Sequence, residues 1–102
     1  MSRYIISPAA SQDLDEISDY FVSRSVEAGE KFVNEFEQKC KNLVNFPNMG
    51  RSYAEVEPSL RGVPLEGYII LYRVIENGVE IVRVVNGYRD LTSLFSDLDQ
   101  DD

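Results

Sequence analysis

The chain has 102 residues and a formal net charge of −8, with 43% hydrophobic and 27% charged residues. This length suits one globular domain with a single core, and the composition excludes disordered and fibrous classes. The sequence contains no histidine, which removes the usual general base, the Ser/His and Cys/His nucleophilic pairs and most zinc sites.

The first predicted elements are a short strand over residues 2–6 and a helix over residues 8–24. Ser7 and Pro8 mark the helix start, because serine caps a free amide and proline needs no amide partner in the first turn. Spacing of i, i+4 and i+7 predicts one buried face: Ala10, Leu14, Ile17 and Phe21. The acids of this helix are spread around it, so we expect a solvated face and no metal site: Asp13, Asp15, Glu16 and Asp19.

A second helix is predicted over residues 26–45, with Ser25 as its cap. Only Ser25 separates the helices, so they must form an antiparallel hairpin. One apolar stripe faces the core: Phe32, Phe36, Cys40 and Leu43. Cys40 is the only cysteine, so an internal disulfide is excluded and a core role is expected. Pro47 and Gly50 end the helix.

Three strands follow a loop that extends to about Pro58. Residues 60–63 form a short strand closed by Pro64, and Glu66-Gly67 turns the chain into a hairpin around Asn77-Gly78. This dipeptide favours a type I′ turn, and it places Tyr72 opposite Arg83. The order β-α-α-β-β-β predicts an α+β fold, in which a small twisted antiparallel sheet packs against a two-helix hairpin.

Both faces of this hairpin are largely apolar. By strand alternation, Tyr72 shares one face with Ile81, Arg83 and Val85. The helices can cover only one face. We therefore expect the C-terminal segment, a second copy of the chain or a protein partner to cover the other.

The charge is unevenly distributed. Four aspartates lie in residues 97–102, which we interpret as a solvated acidic tail, and their removal leaves a net charge of −4 for a single domain over residues 1–96. From Gly50 onward every basic residue is arginine, the side chain best suited to planar or bidentate recognition. The alternative is that these arginines pair with nearby glutamates. No segment is long and apolar enough to span a bilayer, so we expect a cytoplasmic protein.

An ordered set of short motifs covers nearly the whole chain. They are Ala10-x-x-Asp13-Leu14-x-x-Ile17, Ala28-x-x-x-Phe32, Phe46-Pro47-x-x-Gly50-Arg51, Leu60-Arg61-x-x-Pro64, Tyr68-x-Ile70-x-Tyr72-Arg73 and Val79-x-Ile81-x-Arg83-Val84 to Gly87-x-Arg89-Asp90. Together they resemble the ParE branch of the RelE/ParE toxin superfamily. The resemblance implies the toxin half of a bacterial type II toxin–antitoxin module of the plasmid-stabilisation kind, wrapped by an antitoxin segment that folds on binding.

The resemblance also separates two activities. RelE-like members cleave mRNA on the ribosome, using a basic strand residue and a late tyrosine; aligned through Gly87-x-Arg89, these positions hold Ile69 and Phe95. Phe95 cannot transfer a proton and Ile69 cannot stabilise a pentavalent phosphate. The resemblance therefore favours the ParE-like activity, inhibition of DNA gyrase by binding. The alternatives are a ribosome-dependent mRNA endoribonuclease and an inactive relative that only binds antitoxin.

The implied partners are a cognate ParD-like antitoxin and DNA gyrase, with no cofactor, no metal, no membrane and no direct nucleic-acid binding. A homodimer or a toxin–antitoxin hetero-oligomer is compatible with this interpretation. Target-binding residues are expected around the exit of the sheet: Arg61, Arg73, Arg83, Tyr88 and Arg89. The alternative for Arg73 and Arg83 is a cross-strand cation–π contact or salt bridge. The alternative for Arg89-Asp90 is a turn that caps a short final helix.

Overall fold

A computed structural model describes residues 3–87 as an α+β fold in which a two-helix hairpin packs on one face of a five-stranded sheet. The elements are β1 (Arg3–Ile6), α1 (Pro8–Arg24), α2 (Val26–Asn45), β2 (Arg51–Ser52), β3 (Arg61–Leu65), β4 (Tyr68–Ile75) and β5 (Gly78–Asn86). The strand order is β1-β5-β4-β3-β2. Strand β1 runs parallel to β5 and the other pairs are antiparallel. The predicted fold class is confirmed, with β2 and the parallel pair added to it.

Both helices begin and end at the predicted residues. The Ser7 hydroxyl accepts a hydrogen bond from the Ala10 amide at 3.1 Å, and the Ser25 hydroxyl accepts one from the Ala28 amide at 2.9 Å. Each cap provides a hydrogen-bond acceptor for an amide that has no partner within its helix, and so contributes about 1 kcal/mol to the stability of the protein. Neither helix within residues 3–87 is long and apolar enough to cross a bilayer.

The main core lies between the helices and one face of the sheet. The predicted stripe of α2 is buried there against β4 and β5, and the largest buried side chains include Tyr72, Phe32, Leu43 and Ile70. Full burial of an apolar side chain of this size contributes about 1.5–3 kcal/mol. This core fixes which face of the sheet the helices take.

The opposite face of the sheet is covered in part by the chain itself. Leu60, Tyr53 and Val56, from the segment between β2 and β3, pack against Leu71 and Val85. The sequence predicted that the C-terminal segment, a second copy or a partner would provide this cover. That prediction overlooked the loop, because three apolar residues spread over eight positions show no strand or helix periodicity.

The register of the β4–β5 hairpin differs from the predicted one. Ile75 pairs with Gly78, so the loop residues are Glu76 and Asn77, and of these two only Asn77 has a positive φ, of 67°. Gly78 is instead the first residue of β5, where a Cβ atom would collide with the carbonyl oxygen of Arg3 in β1. The close parallel strand and a backbone φ of 157° therefore both require glycine at this position.

A β-bulge shifts the register again in the middle of the hairpin. Tyr72 pairs with Ile81 but Leu71 pairs with Arg83, which leaves Val82 as the extra residue of β5. The predicted pairing of Tyr72 with Arg83 is wrong for this reason. The bulge places Val84 in the helix-side core, whereas simple alternation placed Val85 there.

Pro64 does not close β3 as predicted but lies within it, opposite Ile69. Strand β2 reaches only as far as Gly62 along β3. Beyond that point one side of β3 has no partner strand in the part of the chain that the structure describes, and a proline that lacks an amide proton is tolerated there.

Candidate functional site

The predicted recognition residue Arg83 is held by the acid Asp13 of α1. The Arg83 guanidinium donates two hydrogen bonds to the Asp13 carboxylate, at 2.7 and 3.0 Å, and the Val84 amide donates a third at 3.0 Å. Asp13 is 9% exposed, so its predicted place on a solvated face is wrong, whereas the acids Asp15, Glu16 and Asp19 are exposed. The Asp13 hydrogen bond raises the pKa of Arg83, which therefore stays charged despite its partial burial.

This contact completes the sheet where β1 ends. After Ile6, the Ser7 amide still donates to the Ile81 carbonyl at 3.0 Å, and the Ser7 hydroxyl donates to the Val82 carbonyl at 2.9 Å. The next amide that would need a strand partner, that of Val84, takes the Asp13 carboxylate instead. The signal for this role is in the sequence, because Asp13 lies at i+3 from Ala10, within the buried stripe of α1.

Arg61 fixes the turn between α2 and β2. Its guanidinium donates to the Gly50 carbonyl at 2.7 Å and to the Asn48 carbonyl at 3.3 Å. The buried Tyr72 hydroxyl holds the same turn, since it accepts from the Gly50 amide at 3.0 Å and donates to the Pro47 carbonyl at 2.7 Å. Burial raises the pKa of Tyr72, so its hydroxyl remains a proton donor near neutral pH.

Arg73 lies apart from both of these contacts. It forms an exposed cross-strand ion pair with Glu80, at 2.7 Å, which agrees with the alternative given for it above. Tyr88 and Arg89 lie outside the described residues, as do Phe95 and the acidic tail. Arg61, Arg73 and Arg83 thus each contact a different part of the chain: the turn before β2, Glu80 and Asp13.

The described residues contain neither a metal-binding cluster nor a reactive thiol. Within residues 3–87 there is no group of three or more acids or cysteines placed to hold a metal ion. Cys40 is fully buried, and this burial raises the pKa of its thiol to about 12, which keeps it protonated and unreactive at neutral pH. Ile69 packs in the apolar cluster on the sheet face away from the helices.

An apolar groove lies beside the free edge of β1. It has a volume of about 260 Å³ and its floor is made by β1 and both helices: Tyr4, Ile6, Leu14, Phe32, Val33 and Phe36. Its charged lining residues are Asp15 and Glu37. Among residues 3–87 no strand lies beside the outer edge of β1, and Ile6 and Val33 are 38% and 39% exposed.

The groove and the strand edge together suit one kind of ligand. An extended segment could pair with the backbone of β1 while its side chains enter the groove. Apolar side chains would fill the floor, and a lysine or arginine would meet Asp15 and Glu37. Sequence analysis did not find this groove, because it arises where three separate elements meet.

Comparisons with known proteins agree with this architecture. The sequence model described as "ParE toxin of type II toxin-antitoxin system, parDE" matches residues 4–91. Toxin ParE1 of Mycobacterium tuberculosis is 32% identical over 92 residues, which cover 88% of this chain and 94% of that protein. Toxin ParE3 of Caulobacter vibrioides is 29% identical over 94 residues, which cover 91% and 94%.

A solved structure shares the fold. The structure titled "Chromosomal ParDE TA system from P. aeruginosa" superposes with a TM-score of 0.68 at 26% identity, covering 84% of this chain and 96% of that chain. The matched sequence extends from β1 to beyond β5. It therefore includes all the elements that form the groove.

Proposed function

The chain belongs to the ParE toxins of type II toxin–antitoxin systems, and from this premise we propose that it inhibits DNA gyrase by binding and is neutralised by a ParD-like antitoxin in the bacterial cytoplasm. The observation that carries the proposal is the match over nearly the whole folded domain. The apolar groove supports the antitoxin part independently of that match. We propose no chemical step for the toxin, since binding alone would trap its target.

The antitoxin segment is expected to lie along β1. Its backbone would hydrogen-bond to the free strand edge, and its apolar side chains would cover Ile6 and Val33. Because the chain carries a net charge of −8, a basic segment would also be attracted at long range. An antitoxin arm of alternating apolar and basic residues fits this description.

The predicted target-binding residues divide into two groups. We assign Arg61 and Arg83 to positioning, because the guanidinium of each donates two hydrogen bonds to groups of its own chain. Of the five residues predicted from the sequence, Arg73, Tyr88 and Arg89 remain the proposed target contacts. Arg73 qualifies because its guanidinium is exposed even while it pairs with Glu80.

A supercoiling assay tests the target. Purified toxin is titrated into DNA gyrase acting on relaxed plasmid, with and without the antitoxin encoded beside it. We expect supercoiling to fall as toxin is added and to return when antitoxin is present in excess. Full supercoiling at a large molar excess of toxin would reject gyrase as the target. A parallel translation reaction, examined for mRNA cleavage, would then decide for or against the ribonuclease alternative.

A charge placed in the groove tests the antitoxin site. Val33→Glu puts a carboxylate where we expect an apolar contact, so antitoxin affinity should fall about tenfold or more while gyrase inhibition is retained. Val26→Glu is the matched control, because Val26 is 63% exposed in the same helix and does not line the groove. Equal antitoxin affinity for the two variants, measured by calorimetry, would place the antitoxin elsewhere.

A further inference from the structure

Two large apolar side chains project into solvent from the turn between α2 and β2. Phe46 is 67% exposed and Met49 is 50% exposed. They line one open depression of about 600 Å³ together with Asn45, Pro47 and Asn48. Single exposed apolar residues are ordinary on protein surfaces, but an adjacent pair of this size is more typical of interaction sites.

The turn that carries them is fixed on both sides. The Phe46 amide donates to the Asn42 carbonyl at 2.8 Å and the Met49 amide donates to the Phe46 carbonyl at 3.0 Å. From the sheet, Tyr72 and Arg61 hold the backbone of residues 47–50 through the four hydrogen bonds described above. The backbone under Phe46 is therefore ordered before any partner binds, which lowers the entropy cost of association.

The surroundings of the turn have the opposite charge to the whole chain. A second depression, of about 410 Å³, shares Asn45 with the first and is lined by Arg3, Tyr4, Lys41 and Val44. The lining of the two depressions contains Arg3 and Lys41 and no carboxylate, although the chain as a whole carries −8. Neither cation has an ion-pair partner within residues 3–87.

We propose that this turn surface, defined as Arg3, Lys41, Phe46 and Met49, is a further contact between the toxin and its target, beside Arg73, Tyr88 and Arg89, and that it binds an acidic protein segment. An apolar side chain of that segment packs against Phe46 and Met49, and its carboxylates meet Arg3 and Lys41. The inference rests on the proposed function, because it takes the target of the toxin to be a protein. Phenylalanine and methionine are both enriched at protein interfaces.

A protein segment fits the surface better than a nucleic acid does. Binding to DNA draws its strength from many phosphate contacts, whereas this surface offers two cations on an acidic chain. Two cations beside an apolar pair match a short acidic motif with one hydrophobic anchor. The groove at β1 has the opposite character, since its charged lining residues are acids, so the two surfaces select different partners.

The test compares variants of the turn surface in the gyrase assay. The double variant Phe46→Ala/Met49→Ala should require about tenfold more toxin for half-inhibition, because truncation removes the central apolar contact. Lys41→Glu should raise the half-inhibitory concentration as well, by repelling the acidic segment. Val26→Ala is the control, since it truncates a comparably exposed apolar residue of α2 and should inhibit like the unchanged toxin. Retained antitoxin binding and an unchanged unfolding midpoint show that each variant is folded.

The outcomes separate the surface from the proposed function. If the unchanged toxin inhibits gyrase and the double variant inhibits it equally, the turn surface is rejected and the function stands. If the unchanged toxin leaves gyrase active, the gyrase target is rejected. The turn surface is then tested by growth inhibition after induction of each chain. Reduced toxicity of the double variant then supports it, whereas equal toxicity, or no toxicity of either chain, rejects it. DNA binding is the remaining alternative. If the unchanged toxin binds a DNA oligonucleotide and Phe46→Ala abolishes this binding, the assignment to a protein segment is wrong.

Discussion

Asp13 is the residue that ties α1 to β5. Its carboxylate accepts hydrogen bonds from the Arg83 guanidinium and the Val84 amide. The side chains of Asp13 and Arg83 are 11% and 19% exposed, so water cannot replace these bonds fully. Removal of one partner would leave the other charge unpaired in a poorly solvated position, which costs more than the pair itself contributes.

Asp13→Ala should therefore lower the free energy of unfolding by about 3 kcal/mol, at the low end of the range for buried ion pairs because Arg83 keeps some contact with water. Urea denaturation measures this change. Asp19→Ala removes an exposed acid of the same helix and should change stability by less than about 0.5 kcal/mol. Similar losses of stability for the two substitutions would show that the hydrogen bonds of Asp13 to Arg83 and Val84 do not contribute to stability.

The buried thiol of Cys40 predicts a loss of stability in alkali. Burial, with a smaller contribution from the charge of Glu37, raises the pKa of Cys40 from 9.0 to about 12. The unfolded chain then loses the thiol proton at a lower pH than the folded chain does. Above pH 9 the unfolded state binds fewer protons, so the free energy of unfolding falls by up to about 1.4 kcal/mol per pH unit.

Urea denaturation between pH 8 and 10, compared for the unchanged chain and Cys40→Ala, tests this sign. The alanine variant should be less stable at every pH, because it leaves a small cavity, but its stability should fall less steeply with pH. The pKa values of Tyr4 and Tyr72 are also raised, chiefly by burial, and because free tyrosine titrates near pH 10, their effect begins only at the upper end of this pH range. Parallel pH profiles for the two chains would contradict the assignment to Cys40.

Among the elements, β1 decides the shape of the sheet and of the groove. It runs parallel to β5, with Arg3 opposite Gly78 and Ile6 opposite Ile81. A helix hairpin of two elements links β1 to the later strands, so its edge position brings α1, α2 and a free strand edge together. The groove lies open because β1 has one neighbouring strand, β5, among the described residues.

Gly78→Ala should disrupt this pairing. The added methyl group would collide with the Arg3 carbonyl oxygen, so β1 must move away from β5, at a cost of about 2 kcal/mol or more in unfolding free energy. Hydrogen exchange of the β1 amides, measured beside urea denaturation, should show faster exchange in the variant. Antitoxin affinity should fall as well, because the proposed binding edge would be displaced.

Gly67→Asn provides the control at the element scale. Gly67 also has a positive φ, of 83°, but nothing lies within 4 Å of the position where its Cβ would be. Asparagine tolerates this backbone conformation, so we expect little loss of stability and unchanged exchange at β1. Gly78 has a different positive φ, of 157°, so the exchange of the β1 amides, and not stability alone, distinguishes displacement of β1 from backbone strain. Unchanged exchange at β1 in Gly78→Ala would contradict the role of the contact with Arg3.

The whole molecule carries two surfaces of opposite character. The groove at β1 is apolar with acids at its border, and the turn surface is apolar with cations at its border. Tyr4 lines both. An antitoxin segment that covers β1 as far as Tyr4 would therefore approach the turn surface, which offers a physical route from antitoxin binding to neutralisation.

Deletion of residues 97–102 tests the proposed boundary of the domain. If the four terminal aspartates form a solvated tail, the free energy of unfolding should change by less than about 0.5 kcal/mol. The net charge would fall from −8 to −4, so association with a basic antitoxin should become slower and less sensitive to salt. A large loss of stability would instead show that the folded domain extends beyond residue 96.

The sequence alone determined the two helices, their caps and the α2 core stripe, because capping and periodicity are local properties that do not depend on distant partners. The motifs also indicated the family. The tertiary structure decided the contacts between residues that are distant in sequence. Asp13 is buried against Arg83, and Gly78 begins β5 beside Arg3 and is not a turn residue. A bulge determines the face of the sheet on which Val84 lies. The tertiary structure also gave Arg61, Arg73 and Arg83 their separate partners within the chain, since these contacts follow from strand register and helix docking, which no local pattern specifies.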